Sequence, residues 1–229
     1  MFEAFSDSSN MDAPVRGYLY PSMDRGGKCL ILTHGAGANS QSPLLMALAD
    51  SFCAGGWTVL RCDLPFRQLR PHGPPPRGSA AHDQAGLGAA VAAMRRLGAS
   101  RIVLGGHSYG GRQASILAAT DQTLVEGLLL LSYPLHPPKK PAELRTQHFP
   151  SLQVPALFVH GMRDGFGTIS EMQSALSLIP ARTDLLPIPG AGHELLTKSN
   201  REALIAAVMS SFKSEFADSV PSKPDDATR

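Results

Sequence analysis

The chain has 229 residues, of which 43% are hydrophobic and 17% charged, which suits one globular domain with a substantial core and argues against two full domains. Its 21 basic and 19 acidic side chains leave a formal charge of +2, too balanced for a nucleic-acid-binding surface to be read from charge. No apolar run approaches the roughly 18 residues that span a bilayer, so neither nucleic acid nor membrane is expected as a partner. The amino terminus has no basic stretch followed by an apolar run and a small-residue cleavage site. Cys29, Cys53 and Cys62 form no C-x-x-C pair, and their odd number argues against a disulfide framework. The expectation is a cytoplasmic protein in a reducing compartment.

In chain order, residues 1–14 read as an N-terminal segment, and short strands around 15–20 open the folded domain. Strand-like apolar runs follow at 29–33, 58–62, 102–105, 127–131, 156–160 and 184–188. Helix-like segments separate them at 44–54, 80–97, 113–120, 169–179 and 201–212. Strands this apolar are buried on both faces, so the alternation predicts an α/β fold: a mostly parallel sheet with helices on both sides and ligands at the strands' carboxyl ends. Residues 64–78 carry Pro65, Pro71, Pro74, Pro75 and Pro76, which predicts a long loop without helix that could border a site or merely cross the surface. The domain runs over 15–216, and 217–229 lacks apolar periodicity and reads as a flexible tail.

The apolar run ending at Gly105 leads into Gly106-His107-Ser108-Tyr109-Gly110, the pattern G-x-S-x-G, with a helical segment after it. A serine there sits on a sharp strand-to-helix turn, and the flanking glycines let strand and helix approach closely. A serine hydroxyl is a poor nucleophile at neutral pH; it needs a base, and the base needs an orienting carboxylate. Both follow a strand end downstream: Asp164 after 156–160 and His193 after 184–188, in the chain order Ser, Asp, His of the α/β hydrolases. Asp63, also after a strand, is the fallback acid. Glu194 adjoins the histidine it would have to orient and is unsuitable. Each residue also has a plainer reading, as a turn serine, a turn aspartate or a helix-capping histidine.

Attack on a carbonyl also requires two N–H donors for the developing oxyanion. Tyr109, next after the serine, supplies one, and the loop His34-Gly35-Ala36-Gly37-Ala38 supplies the other, Ala36 by first choice and Gly37 by second. His34 reads as a loop brace, and the His107 side chain must leave the turn in another direction. No His-Glu-x-x-His, zinc spacing or phosphate-cradling loop occurs, so no metal or other cofactor is expected.

Thr33-His34-Gly35-Ala36-Gly37, Gly106-His107-Ser108-Tyr109-Gly110-Gly111-Arg112, Tyr133-Pro134-Leu135-His136-Pro137-Pro138 and Asp164-Gly165-Phe166-Gly167 together resemble the small dienelactone-hydrolase-like α/β hydrolases, over roughly residues 15–213. Within them the chain is most similar to a compact branch that includes a testis-expressed protein and a histone-acetyltransferase complex subunit. The resemblance implies a serine-hydrolase site on Ser108, Asp164 and His193. True dienelactone hydrolases carry cysteine at the position of Ser108, so cleavage of a small ester or thioester fits better than lactone opening. Residues 132–155 are too few and too proline-rich for a helical cap, which predicts an open cleft. Lys139 and Lys140 read as solvated surface. A non-catalytic interaction protein and an acyltransferase with the same triad are the competing readings. The exposed edges of an open sheet allow a homodimer.

Overall fold

The computed structural model describes residues 2–23 and 27–216; the predicted tail at 217–229 lies outside them. Among the described residues eight strands form one sheet in the order β1-β2-β4-β3-β5-β6-β7-β8. They are β1 (Glu3–Asp7), β2 (Val15–Tyr20), β3 (Lys28–Thr33), β4 (Thr58–Cys62), β5 (Arg101–His107), β6 (Gly127–Leu131), β7 (Ala156–Gly161) and β8 (Thr183–Ile188). The β1–β2 and β2–β4 pairings are antiparallel, and the other pairings of the sheet are parallel.

Strict period-two packing explains why these runs are strands. In β6, Leu128 and Leu130 face one core cluster while Leu129 and Leu131 face the other, and β3 and β7 divide in the same way. One layer is packed by α3 (Ala80–Arg96), α4 (Tyr109–Thr120) and α5 (Ile169–Leu176), the other by α1 (Pro43–Ala54) and α6 (Arg201–Phe216). No helix among the described residues is long and apolar enough to cross a membrane. Burial pushes the Cys29 and Cys62 thiols up to about 12, consistent with packed rather than reactive groups.

Three differences from the sequence reading have physical causes. Residues 3–7, read as part of a segment ahead of the domain, pair with β2 in full register from Glu3↔Leu19 to Asp7↔Val15. This edge strand is largely exposed and has little apolar pattern to reveal it. The proline-rich stretch does contain a helix, α2 (Pro65–Leu69), because Pro65 stands at the first turn, where no N–H is needed. Finally, α4 starts at Tyr109 rather than at 113, since the helix begins directly at the turn. The segment 132–155 holds only a single 3₁₀ turn, Phe149–Ser151, so no cap covers the strand ends.

Candidate functional site

The parallel strands β3, β5, β7 and β8 all end at one edge of the sheet, so the loop at 34–38, Ser108, Asp164 and His193 emerge together. Ser108 is the residue between β5 and α4, with φ 51° and ψ −115°. A non-glycine residue held there stores on the order of 1–3 kcal/mol and persists because its surroundings over-determine it. Its N–H is tied to Leu131 O at 2.8 Å, and its carbonyl accepts from Arg112 N–H at 3.0 Å. A Cβ on Gly110 would stand 2.5 Å from His34 O, and one on Gly106 would stand 2.8 Å from Thr33 O. Only glycine lets β3 lie this close to the turn.

Ser108 Oγ lies 2.8 Å from His193 Nε2, and His193 Nδ1 lies 2.8 Å from Asp164 Oδ2. Burial pushes the Asp164 carboxyl up, but the hydrogen bond from His193, the Phe166 N–H at 2.8 Å and the nearby imidazoles outweigh it, so its pKa falls below the usual value. An ionised Asp164 requires the proton on Nδ1, which leaves Nε2 to accept from the Ser108 hydroxyl. Phe166 lies across His193 with ring centroids 4.2 Å apart. His107 Nε2 donates to His193 O at 2.8 Å, and His160 Nε2 donates to Gly167 O at 2.8 Å, so two further histidines brace the loops on either side. Burial, first of all, lowers the pKa of both, which suits neutral structural imidazoles.

Gly35 O accepts from Ala38 N–H at 3.1 Å and from His34 Nδ1 at 2.8 Å. Because the peptide is trans, the Ala36 N–H points the opposite way from that carbonyl. His34 Nε2 accepts from Leu64 N–H at 3.1 Å, so His34 is a neutral brace. Among the described residues neither the Ala36 nor the Tyr109 N–H has a protein acceptor. Both residues adjoin Ser108 through the loop after β3 and the first turn of α4. Gly35, Ala36, Gly37, Ala38, His107, Ser108, Phe166, His193 and Glu194 line an open cavity of about 380 Å³.

Asp63, the fallback acid, is placed elsewhere: its Oδ1 accepts from Ser40 N–H at 2.7 Å, and His193 has Asp164 as its carboxylate partner. Lys140 pairs with Glu143 at the surface. The sequence reading missed Arg67 and Asp83, two buried charged side chains that face the loop after β3 and Tyr109. A charged residue amid prolines was the one available hint. Among the described residues no group of three or more His, Cys, Asp or Glu side chains converges as metal ligands.

A mostly parallel, helix-flanked sheet with a strained serine between its central strand and the following helix defines the α/β-hydrolase class. The family model for the alpha/beta hydrolase domain matches residues 26–220, and the chain belongs to that family. Among solved structures it is similar to DcsB in complex with its substrate analogue, with TM-score 0.76, 17% identity, and coverage of 95% of this chain and 100% of that one. Est1E from Butyrivibrio proteoclasticus matches with TM-score 0.74 and 18% identity over 93% and 99% of the two chains. A dienelactone hydrolase from Anabaena variabilis matches with TM-score 0.70 and 20% identity over 94% and 98%. At these identities the likeness is one of fold.

Proposed function

We propose that the protein is a serine hydrolase that cleaves a small carboxylic ester or thioester through an acyl-enzyme on Ser108. The observation that carries this reading is the continuous hydrogen-bonded chain from Ser108 Oγ through His193 to a buried Asp164, beside two N–H groups without acceptors. His193 Nε2 takes the Ser108 proton as Oγ attacks the carbonyl carbon, and Asp164 stabilises the resulting imidazolium. The Ala36 and Tyr109 N–H groups receive the oxyanion, aided by the positive end of α4. Collapse breaks the bond to the alcohol or thiol, which leaves with the proton from His193. Water, deprotonated by the same imidazole, then releases the acid and restores Ser108. Small walls at 35–38 and the absence of a cap favour short acyl groups and an open approach.

The test is reaction of the folded protein with a fluorophosphonate probe, with the adduct located by peptide mass spectrometry. Labelling confined to Ser108, and lost in Ser108→Ala and His193→Ala, is expected. No labelling of folded wild-type protein refutes the reading.

A further inference from the structure

Arg67, at the centre of α2, is only 5% exposed. Its Nε donates to Ala38 O at 2.8 Å and its Nη2 to Ala36 O at 2.7 Å, both in the loop after β3. The same guanidinium reaches back to Arg70 O at 2.9 Å and Gly73 O at 2.8 Å in the proline-rich stretch. One side chain thus spans four carbonyls of two loops. No carboxylate among the described residues forms an ion pair with it; the guanidinium is met instead by the loop carbonyls and by the Phe66 ring, 4.9 Å from centroid to guanidinium carbon.

This geometry has a directional consequence. A carbonyl drawn towards Arg67 turns the N–H of the same trans peptide away from it, so the contact to Ala36 O sends the Gly37 N–H opposite the guanidinium, while the Ala36 N–H belongs to the preceding peptide, whose Gly35 O is held by Ala38 N–H and His34 Nδ1. The carbonyl of Ala36 would otherwise be free to turn in and displace a donor. The second half of the site is held from the same segment. Asp83, fully buried at the start of α3, accepts from Tyr109 Oη–H at 2.7 Å, from Phe66 N–H at 3.0 Å and from Ser79 Oγ–H at 3.1 Å. Phe66 lies edge-on to both Tyr109 and His34, with ring centroids 5.7 Å away in each case. The loop that carries the Ala36 and Gly37 N–H groups and the side chain of Tyr109 are therefore both anchored to residues 66–83.

We propose that Arg67 and Asp83 are positioning residues that make the stretch 64–83 a single brace for both halves of the oxyanion-binding site. This deepens the serine-hydrolase reading and rests on it. Neither side chain lines the cavity beside Ser108; Arg67 fixes the loop that carries the Ala36 and Gly37 N–H groups, and Asp83 fixes the side chain of the residue that carries the Tyr109 N–H. Such an effect belongs to the transition state, where the oxyanion forms, and so falls on kcat more than on KM.

The experiment compares wild type with Arg67→Ala, Arg67→Lys, Tyr109→Phe and, as a control on the exposed part of the same segment, Arg77→Ala. Hydrolysis of p-nitrophenyl acetate and the fluorophosphonate labelling rate are measured. So is amide hydrogen exchange across 34–40 and 64–78, which requires no turnover. Loss of one oxyanion donor commonly costs about 10²–10³ in kcat, so a misaimed donor in Arg67→Ala is expected to lower kcat by roughly tenfold or more with KM within about twofold. Added guanidinium ion and the lysine variant should each restore part of the rate. Tyr109→Phe keeps its N–H and should lose several-fold in kcat, while Arg77→Ala matches wild type. Exchange should rise together in both segments of Arg67→Ala. Wild-type kcat in Arg67→Ala, a loss carried by KM alone, or faster exchange confined to 64–78 would overturn the proposal. If wild type labels at Ser108 and the variants label equally fast, this inference fails while the serine-hydrolase reading stands. If wild type does not label, that reading fails, and the exchange data alone decide whether the two loops are braced.

Discussion

Replacing Asp164 by Asn tests the hydrogen-bonded chain at its least exposed member. Asp164 is 5% exposed and serves two donors, Phe166 N–H on Oδ1 and His193 Nδ1–H on Oδ2, each at 2.8 Å. In the variant the amide oxygen can remain only on one of these sides. Among the described residues the Phe166 N–H, fixed in the turn, has no other acceptor, so the oxygen stays there and the NH₂ group faces His193. The imidazole must then accept at Nδ1 and carry its proton on Nε2, where it donates to Ser108 Oγ and cannot act as a base. The same carboxylate-to-amide change in a serine protease lowers kcat by about 10⁴. That corresponds to about 5 kcal/mol of transition-state stabilisation. A drop of about 10³ to 10⁴ in kcat with KM nearly unchanged is expected here, measured by steady-state hydrolysis of p-nitrophenyl acetate. Asp63→Asn, which alters a contact to Ser40 N–H instead, should stay within tenfold of wild type. A loss of less than tenfold in Asp164→Asn, or a larger loss in Asp63→Asn, would refute the tautomer argument and move the acid to Asp63.

Two further outcomes bear on stability. Gly110→Ala places a Cβ 2.5 Å from His34 O, against backbone that cannot swing away, and should cost about 1–3 kcal/mol of unfolding free energy, read as a lower urea-unfolding midpoint, while slowing labelling of Ser108. The Asp164 carboxyl has a folded pKa below its ordinary value, so its contribution to stability is full above the unfolded value of about 3.9 and disappears as pH falls through the folded one. The Tm difference between wild type and Asp164→Asn should therefore be constant above about pH 5 and shrink below about pH 4; a difference that grows on acidification would contradict the sign of the shift.

Local sequence carries the parts of this molecule that depend on local forces. The alternation of β-branched and leucine runs with helical segments dictates the parallel sheet, because each strand must bury both faces, as Leu128 to Leu131 do in turn. Gly106 and Gly110 mark the turn around Ser108 because only glycine allows that backbone approach on either side of it. The order of Ser108, Asp164 and His193 follows from strand ends and connecting loops. Tertiary structure alone decides the rest. Which carboxylate meets His193 is settled by the adjacency of β7 and β8, which brings Asp164 within 2.8 Å and leaves Asp63 beside Ser40. Pairing of β1 with β2 is a backbone ladder with almost no apolar signature. Arg67 and Asp83 reach groups as many as 31 residues away through side-chain hydrogen bonds, and such contacts leave no periodicity in the chain. Burial periodicity is a property of one segment, whereas the aim of an N–H group depends on which distant carbonyls and side chains converge on it; only the folded chain brings them together.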